Sequence, residues 1–398
     1  MILAKLGAII FTMGVLLRFK VPIGHTVATT SILLWGISGM NPAVLGHAAL
    51  TTLQDPRGWI IAGALYFIMW LEYLLRTRGV MDGFLSAIQE QIPNRKAVMM
   101  IIAAFLGLLP SLGGAIFSAP MVEKISQPLG LSPEKKTLVN YWSRHLCEYA
   151  NPMAPALLLA CATAQVPLSG MLAHLLWYGV LAVAVGWWTC YRGVPDVPPE
   201  KLPTSVSHRR ALILALGPVG LIFVLILGFK LNAAIATLIS TSVLTLVLWR
   251  GLGDFKKQVI ESFNIKIFWG VGAILFFQSV LIETGTVSEL VEYFKVTGFS
   301  PAIALSALAF VMGLLTGMSQ GFVAISFPLV AGIATGDVSL AVLVYVMGSS
   351  GQMLTPTHLC LTLTASYFRA DLIKVFKELI PMQVVLMVAA GLIYYLGL

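Results

Sequence analysis

Charge is what this chain has least of. Asp, Glu, Lys and Arg together make up 11% of its 398 residues, against roughly 25% in a soluble globular domain. With 58% of residues hydrophobic, there is too little polar surface to coat a water-soluble fold, so the chain reads as an integral membrane protein. Cysteine is scarce as well. The four present (Cys147, Cys161, Cys190, Cys360) show no CxxC spacing, which excludes a disulfide framework or zinc ribbon and leaves them as packing residues. HExxH and paired aspartates in membrane motifs are missing, so those signatures of an intramembrane hydrolase are absent. The net charge of +8 is explained by topology and contact with anionic lipid; no nucleic-acid partner is needed.

What the sequence has in abundance is long apolar runs. Ten are expected to cross a ~30 Å hydrocarbon layer, near residues 2–19, 21–39, 57–76, 138–165, 167–190, 210–229, 231–249, 265–283, 338–366 and 380–397. The first has no basic residue before it and no small-residue cleavage site after it, so it is expected to remain in the mature protein. Ten crossings place 20 of the 25 Lys and Arg on one side. By the positive-inside rule that side is cytoplasmic and both termini lie outside.

Sliding the chain on itself by about 206 residues brings its halves into register. "RFKVPIGHTVATTSILLWG" meets "GFKLNAAIATLISTSVLTLVLWRG", and "WLEYLLRTRGVMDGF" meets "FFQSVLIETGTVSEL", aligning Gly79 with Gly285. "SLGGAIFSAPMV" meets "SQGFVAISFPLV", and "SRHLCEYANPMAP" meets "SSGQMLTPTHL", pairing Asn151 and Pro152 with Thr355 and Pro356. Five crossings per half is an odd number, so the second half enters the membrane upside down. Inverted repeats of this kind are a mark of secondary transporters.

The expected architecture is an all-α integral membrane protein of about 10 transmembrane helices in two inverted repeats of five. Each repeat carries a re-entrant helical hairpin and an interrupted helix. The first repeat spans residues 1–190, with its hairpin at about 95–126 and its broken helix at about 138–165. A cytoplasmic linker covers 191–209. The second repeat spans 210–398, with a hairpin at about 299–335 and a broken helix at about 338–366. The hairpins follow from length: "KAVMMIIAAFLGLLP" offers only ~22 Å of helix before Pro110. Residues 299–316 leave open whether the chain spans or turns back.

Irregular backbone at membrane depth survives only where it is buried in protein or lines a wet cavity. Both hairpin tips and both proline-broken helices are therefore expected to meet at one site. Half-helix N-termini there favour an anionic group, and freed carbonyls and side-chain oxygens favour a small cation. The expected binding residues are Ser111, Gly113, Gly114, Glu148, Asn151, Pro152, Ser319, Gln320, Gly321, Ser349, Ser350, Gln352, Thr355, Pro356 and Thr357. Arg144, His145 and His358 stand as further candidates. Glu148 falls ~15 Å into its span, where it either pairs with Arg144 four residues earlier or carries a coupling ion beside Asn151.

The stretches "LLPSLGGAIFSAPMV", "YWSRHLCEYANPMAPALLL" and "GSSGQMLTPTHLCLT" resemble the ion transporter superfamily, and most closely a bacterial membrane family designated domain of unknown function 401. The resemblance implies a homodimeric elevator in the bacterial inner membrane. Crossings 1, 2, 6 and 7 would form its scaffold, and crossings 4 and 9 with both hairpins its mobile domain. Sodium-dicarboxylate members carry Ser-Asn-Thr at the hairpin tips, where this chain has "SLGG" and "SQGF". The expected function is secondary transport of a small organic anion, a carboxylate, coupled to H⁺ or Na⁺, with no organic cofactor and no resident metal. Two alternatives stand beside it: an intramembrane enzyme using His145 and Glu148, and a passive anion channel.

Overall fold

The computed structural model describes residues 2–19, 21–108, 115–195, 197, 208–249 and 255–397. These residues form helices and connections, with no strand among them. The first half runs α1 (Ile2–Arg18), α2 (Ile23–Ile37), α3 (Pro42–Gln54), α4 (Pro56–Thr77), α5 (Val80–Gln91), α6 (Arg95–Leu108), α7 (Ala115–Ser126), α8 (Pro133–His145), α9 (Pro155–Ala164) and α10 (Leu168–Tyr191). The second runs α11 (His208–Phe223), α12 (Ala233–Val247), α13 (Phe255–Glu261), α14 (Ile265–Glu283), α15 (Thr286–Thr297), α16 (Pro301–Thr316), α17 (Ser319–Ile333), α18 (Val338–Met353), α19 (Leu359–Phe368) and α20 (Leu372–Leu396). A 3₁₀ turn, Leu146–Tyr149, follows α8, and a π-helical turn, Val224–Gly228, prolongs α11.

Both halves carry the same order of elements at a nearly constant spacing. Helices α5 and α15 lie 206 residues apart at both ends, and α9 and α19 lie 204 apart at both ends. The chemistry that starts and stops these helices repeats too. Gly79 and Gly285 turn the chain into α5 and α15 at φ of 67° and 69°, a left-handed conformation that costs glycine little. At the starts of α8 and α18, the Ser132 and Asp337 side chains accept from the backbone N–H of Lys135 and Leu340, satisfying a donor the helix leaves free. Tyr141 and Tyr345, 204 residues apart, are both fully buried.

Packing exchanges elements between the halves. Helix α2 lies on α14 and α12 on α4; α17 lies on α9 and α7 on α19. Within each half, α6 packs on α8 and α16 on α18. Polar contacts join helices that lie far apart in sequence. Lys5 pairs with Glu289 at 2.6 Å and His47 with Glu283 at 2.8 Å. Tyr73 donates to Glu261 and Tyr367 to Glu123 at 2.8 and 2.7 Å.

Several boundaries differ from the sequence expectations. Five described helices are long and apolar enough to cross a membrane: Pro56–Thr77, Leu168–Tyr191, Arg209–Gly228, Ile265–Glu283 and Leu372–Leu396. Other expected crossings are shorter helices or, at 138–165 and 338–366, two half-helices separated by a break. In the run at 299–335, α16 and α17 pack together, joined only by Gly317 and Met318. Helix α20 begins at Leu372, capped by the Asp371 side chain on the N–H of Ile373, eight residues before the apolar run expected at 380–397. The tip of the first hairpin, with Pro110, Ser111, Gly113 and Gly114, lies outside the described residues, as does most of the expected linker.

Candidate functional site

The two breaks are built from local side-chain chemistry that competes with the helix. After the 3₁₀ turn, Asn151 Oδ1 accepts from the N–H of Met153 at 3.0 Å while its Nδ2 donates to the carbonyl of Leu108 at 3.0 Å. One side chain thus folds the break and fastens it to the end of α6. Pro152 and Pro155 cannot supply the helical N–H that would close it. In the second half, Thr355 Oγ1 accepts from the N–H of Thr357 at 3.3 Å and meets the Thr357 hydroxyl at 2.9 Å. Pro356 sits between them. Neither α9 nor α19 has a side-chain cap at its N-terminus.

The second hairpin tip rests on the second break. Gly317 has φ +61°, and a Cβ there would press on Thr357 Oγ1 and the His358 N–H. No other residue suits both the conformation and the space. Gly321 faces Thr316 equally tightly, which lets the chain reverse sharply.

Glu148 joins these parts. Its Oε1 accepts from Ser319 Oγ, at the start of α17, at 3.2 Å and from Gln352 Nε2, in the last turn of α18, at 3.0 Å. A carboxylate from the first break is therefore gripped by the opposite hairpin and the opposite broken helix. Both partners are neutral donors, so neither cancels a charge on the carboxylate. Around it, Ser349 Oγ and Gln352 Oε1 are buried without a hydrogen-bond partner among the described residues. Buried polar atoms of this kind are uncommon and mark a place where another group can bind.

The expected Arg144–Glu148 ion pair does not form. The α-helix ends at His145, and the 3₁₀ turn that follows rotates Glu148 off the face on which a spacing of four would meet. Arg144, 6% exposed, donates instead from Nη1 to Ser118 Oγ of α7 at 3.4 Å. The Cys360 thiol of α19 lies within 4.8 Å of His145 and His358 ring nitrogens, so besides packing it borders this polar cluster. All four cysteines are free thiols.

The two histidines meet. His145 Nε2 and His358 Nε2 are 3.0 Å apart, with Tyr141 against both rings. The repeat gave no sign of this, because it aligns His145 with Ser349 rather than with His358. The signal available was position: each imidazole stands at the edge of a break. Of the other expected residues, Ser350 is buried within α18, Gln320 is half-buried with no hydrogen bond recorded, and Pro356 and Thr357 are exposed. Ser118, Tyr141 and Gly317 are participants that the sequence reading did not select.

Residues 2–397 match the family described as "Protein of unknown function (DUF401)". No curated protein matches the chain at a significant level. Among solved structures, the crystal structure of the YdaH transporter of Alcanivorax borkumensis, described as having an unusual topology, is similar to this chain. The TM-score is 0.64 at 13% identity, covering 96% of this chain and 97% of that one. At that identity the likeness is one of fold.

Proposed function

The chain belongs to the DUF401 family, and from that premise we propose that it is a secondary active transporter for a small organic anion, a carboxylate, coupled to H⁺ or Na⁺. The observation that carries the reading is the placement of Glu148. It sits between Ser319 and Gln352, where two helix breaks and a hairpin tip converge and buried hydroxyl and amide oxygens remain unpaired. A carboxylate substrate fits the uncapped N-termini of α9 and α19. A small cation fits Glu148 with Ser349 Oγ and Gln352 Oε1.

In this reading the halves are inverted repeats and the protein works as a homodimeric elevator in a bacterial inner membrane, with both termini outside. Helices α1, α2, α11 and α12 form the scaffold; α6 to α9 and α16 to α19 move with the substrate. What supports the division is that each hairpin packs on the broken helix of the opposite half, so the two form one body.

The test is a thermal-shift panel of carboxylates on purified protein, with and without sodium and at two pH values, followed by uptake into proteoliposomes. Ligand stabilisation and saturable, gradient-driven uptake are expected. Flux that ignores the gradient and does not saturate makes the protein a channel. Turnover in detergent without any gradient makes it an enzyme.

A further inference from the structure

His145 ends α8 and His358 caps α19, so the two imidazoles come from opposite halves of the chain. Each is 7% exposed, and their Nε2 atoms face one another at 3.0 Å. The other two nitrogens settle which atoms carry hydrogen. His145 Nδ1 lies 2.7 Å from the carbonyl oxygen of Tyr141, and His358 Nδ1 lies 2.7 Å from that of Gly317. A carbonyl oxygen can only accept, so both Nδ1 atoms must be donors. A neutral imidazole has one N–H, and it has been spent on each ring. Two bare Nε2 lone pairs would then confront each other at hydrogen-bond distance in a buried site. Switching either ring to its other tautomer only moves the conflict to a carbonyl.

One extra hydrogen ion between the rings removes the conflict: one Nε2 donates, the other accepts, and both carbonyl contacts remain. We propose that His145 and His358 share a single excess proton, and that this pair is the proton-binding site of the transporter. The second clause rests on the transport reading above; the first does not.

Of the charged groups facing the pair, Glu148 favours an added positive charge and Arg144 opposes it. From α8 come Arg144 and the Tyr141 ring, from the 3₁₀ turn Glu148, which interacts electrostatically with His358, and from α19 Cys360. The hairpin tip contributes the Gly317 carbonyl, and α7 the Ser118 hydroxyl. On α10 and α20 the nearest charged partner of α8 is Glu378, which pairs with Lys135 at the far end of that helix. With the proton in place, Arg144, Glu148 and the pair sum to one positive charge; without it they sum to none. An anion is therefore attracted more strongly to the protonated site, and by reciprocity a bound anion holds the proton. The proton also ties α8, α19 and the α16–α17 tip together, so its departure sets the two Nε2 lone pairs against each other and loosens that junction.

A metal ion is the competing occupant, because Cys360 Sγ and the two imidazoles lie within 4.8 Å of one another. Tetrahedral coordination at ~2.0–2.1 Å places two nitrogen ligands about 3.3 Å apart, wider than the separation seen here, and the Arg144 guanidinium opposes a divalent charge.

The experiment uses full-length protein labelled with ¹⁵N-histidine in lipid nanodiscs. A ¹⁵N–¹⁵N scalar coupling across the hydrogen bond between the two Nε2 atoms is expected, with both Nδ1 atoms reading as N–H. The coupling should vanish reversibly in an acid-to-alkaline titration, and it should be lost in His145→Gln and in His358→Gln. Wild-type protein showing no such coupling at any pH overturns the proposal, with no variant needed. So does one zinc or copper ion per chain by elemental analysis, with coupling appearing only after chelation. Coupling observed in a protein that moves no anion keeps the shared proton and sinks the transport reading; transport without coupling does the opposite.

Discussion

Gly107 of α6 faces the carbonyl of Arg144 in α8 so closely that a Cβ would overlap its oxygen. The second half repeats the contact: Gly313 of α16 meets the carbonyl of Gly348 in α18 in the same way. These approaches bring backbone against backbone directly beside the two breaks, with no side chain in between to yield.

Gly107→Ala and Gly313→Ala are each expected to destabilise the protein by about 1–3 kcal/mol, the usual cost of overpacking. Thermal melts in nanodiscs measure it. Gly7→Ala serves as the control: nothing lies within 4 Å of a Cβ there, and alanine is the better helix former, so its melt should not fall. Equal melts for all three variants would show that the close contact is not needed.

These glycines also show what the sequence could and could not disclose. Spacing alone brought Gly79 over Gly285 and Asn151 over Thr355, because helix starts, stops and breaks are local events written in Gly, Pro, Asn and Thr. Helix α3, capped by Asn41 and opened by Pro42, is not among the expected crossings because its thirteen residues are too few to cross a bilayer. The contacts of Glu148 were invisible for a different reason. Ser319 and Gln352 are 171 and 204 residues away, and an i, i+4 rule fails where a helix changes pitch. The histidine pair was beyond reach because the repeat does not relate its two members.

Glu148→Gln should fold almost normally and transport poorly. Its amide oxygen can still accept from Ser319 and Gln352, and its N–H₂ has the unpaired Gln352 Oε1 nearby. Only the charge is lost. A melting temperature near wild type with uptake reduced at least about tenfold, equivalent to ~1.4 kcal/mol, is the expected result. Full uptake by this variant would remove Glu148 from the coupling site.

Asn151→Ala and Thr355→Ala are expected to lose both uptake and stability. Removing Asn151 strands the Leu108 carbonyl and the Met153 N–H, and removing the Thr355 hydroxyl strands the Thr357 N–H. A stranded buried group such as the Met153 N–H costs roughly 1–3 kcal/mol and the exposed Thr357 N–H less, so Asn151→Ala should fall further in melts than Thr355→Ala. Thr355→Ser keeps the accepting oxygen and should behave like wild type in melts. If Thr355→Ser fell as far as Thr355→Ala, the methyl group rather than the turn would hold the break.

His358→Gln separates proton coupling from anion binding. Glutamine can still donate to the Gly317 carbonyl that His358 Nδ1 now engages, so the hairpin tip keeps an anchor, but an amide does not carry a proton at accessible pH. For the carboxylate that most stabilises the wild-type protein in the thermal-shift panel, uptake by wild type should rise with an imposed inward proton gradient. In His358→Gln that acceleration should disappear while downhill exchange of the same carboxylate persists at a weaker apparent affinity, because exchange uses the binding groups at the two breaks and no net proton movement. Retained acceleration in the variant would place the coupling proton elsewhere, with Glu148 the next group to examine, since its carboxylate lies within electrostatic reach of His358.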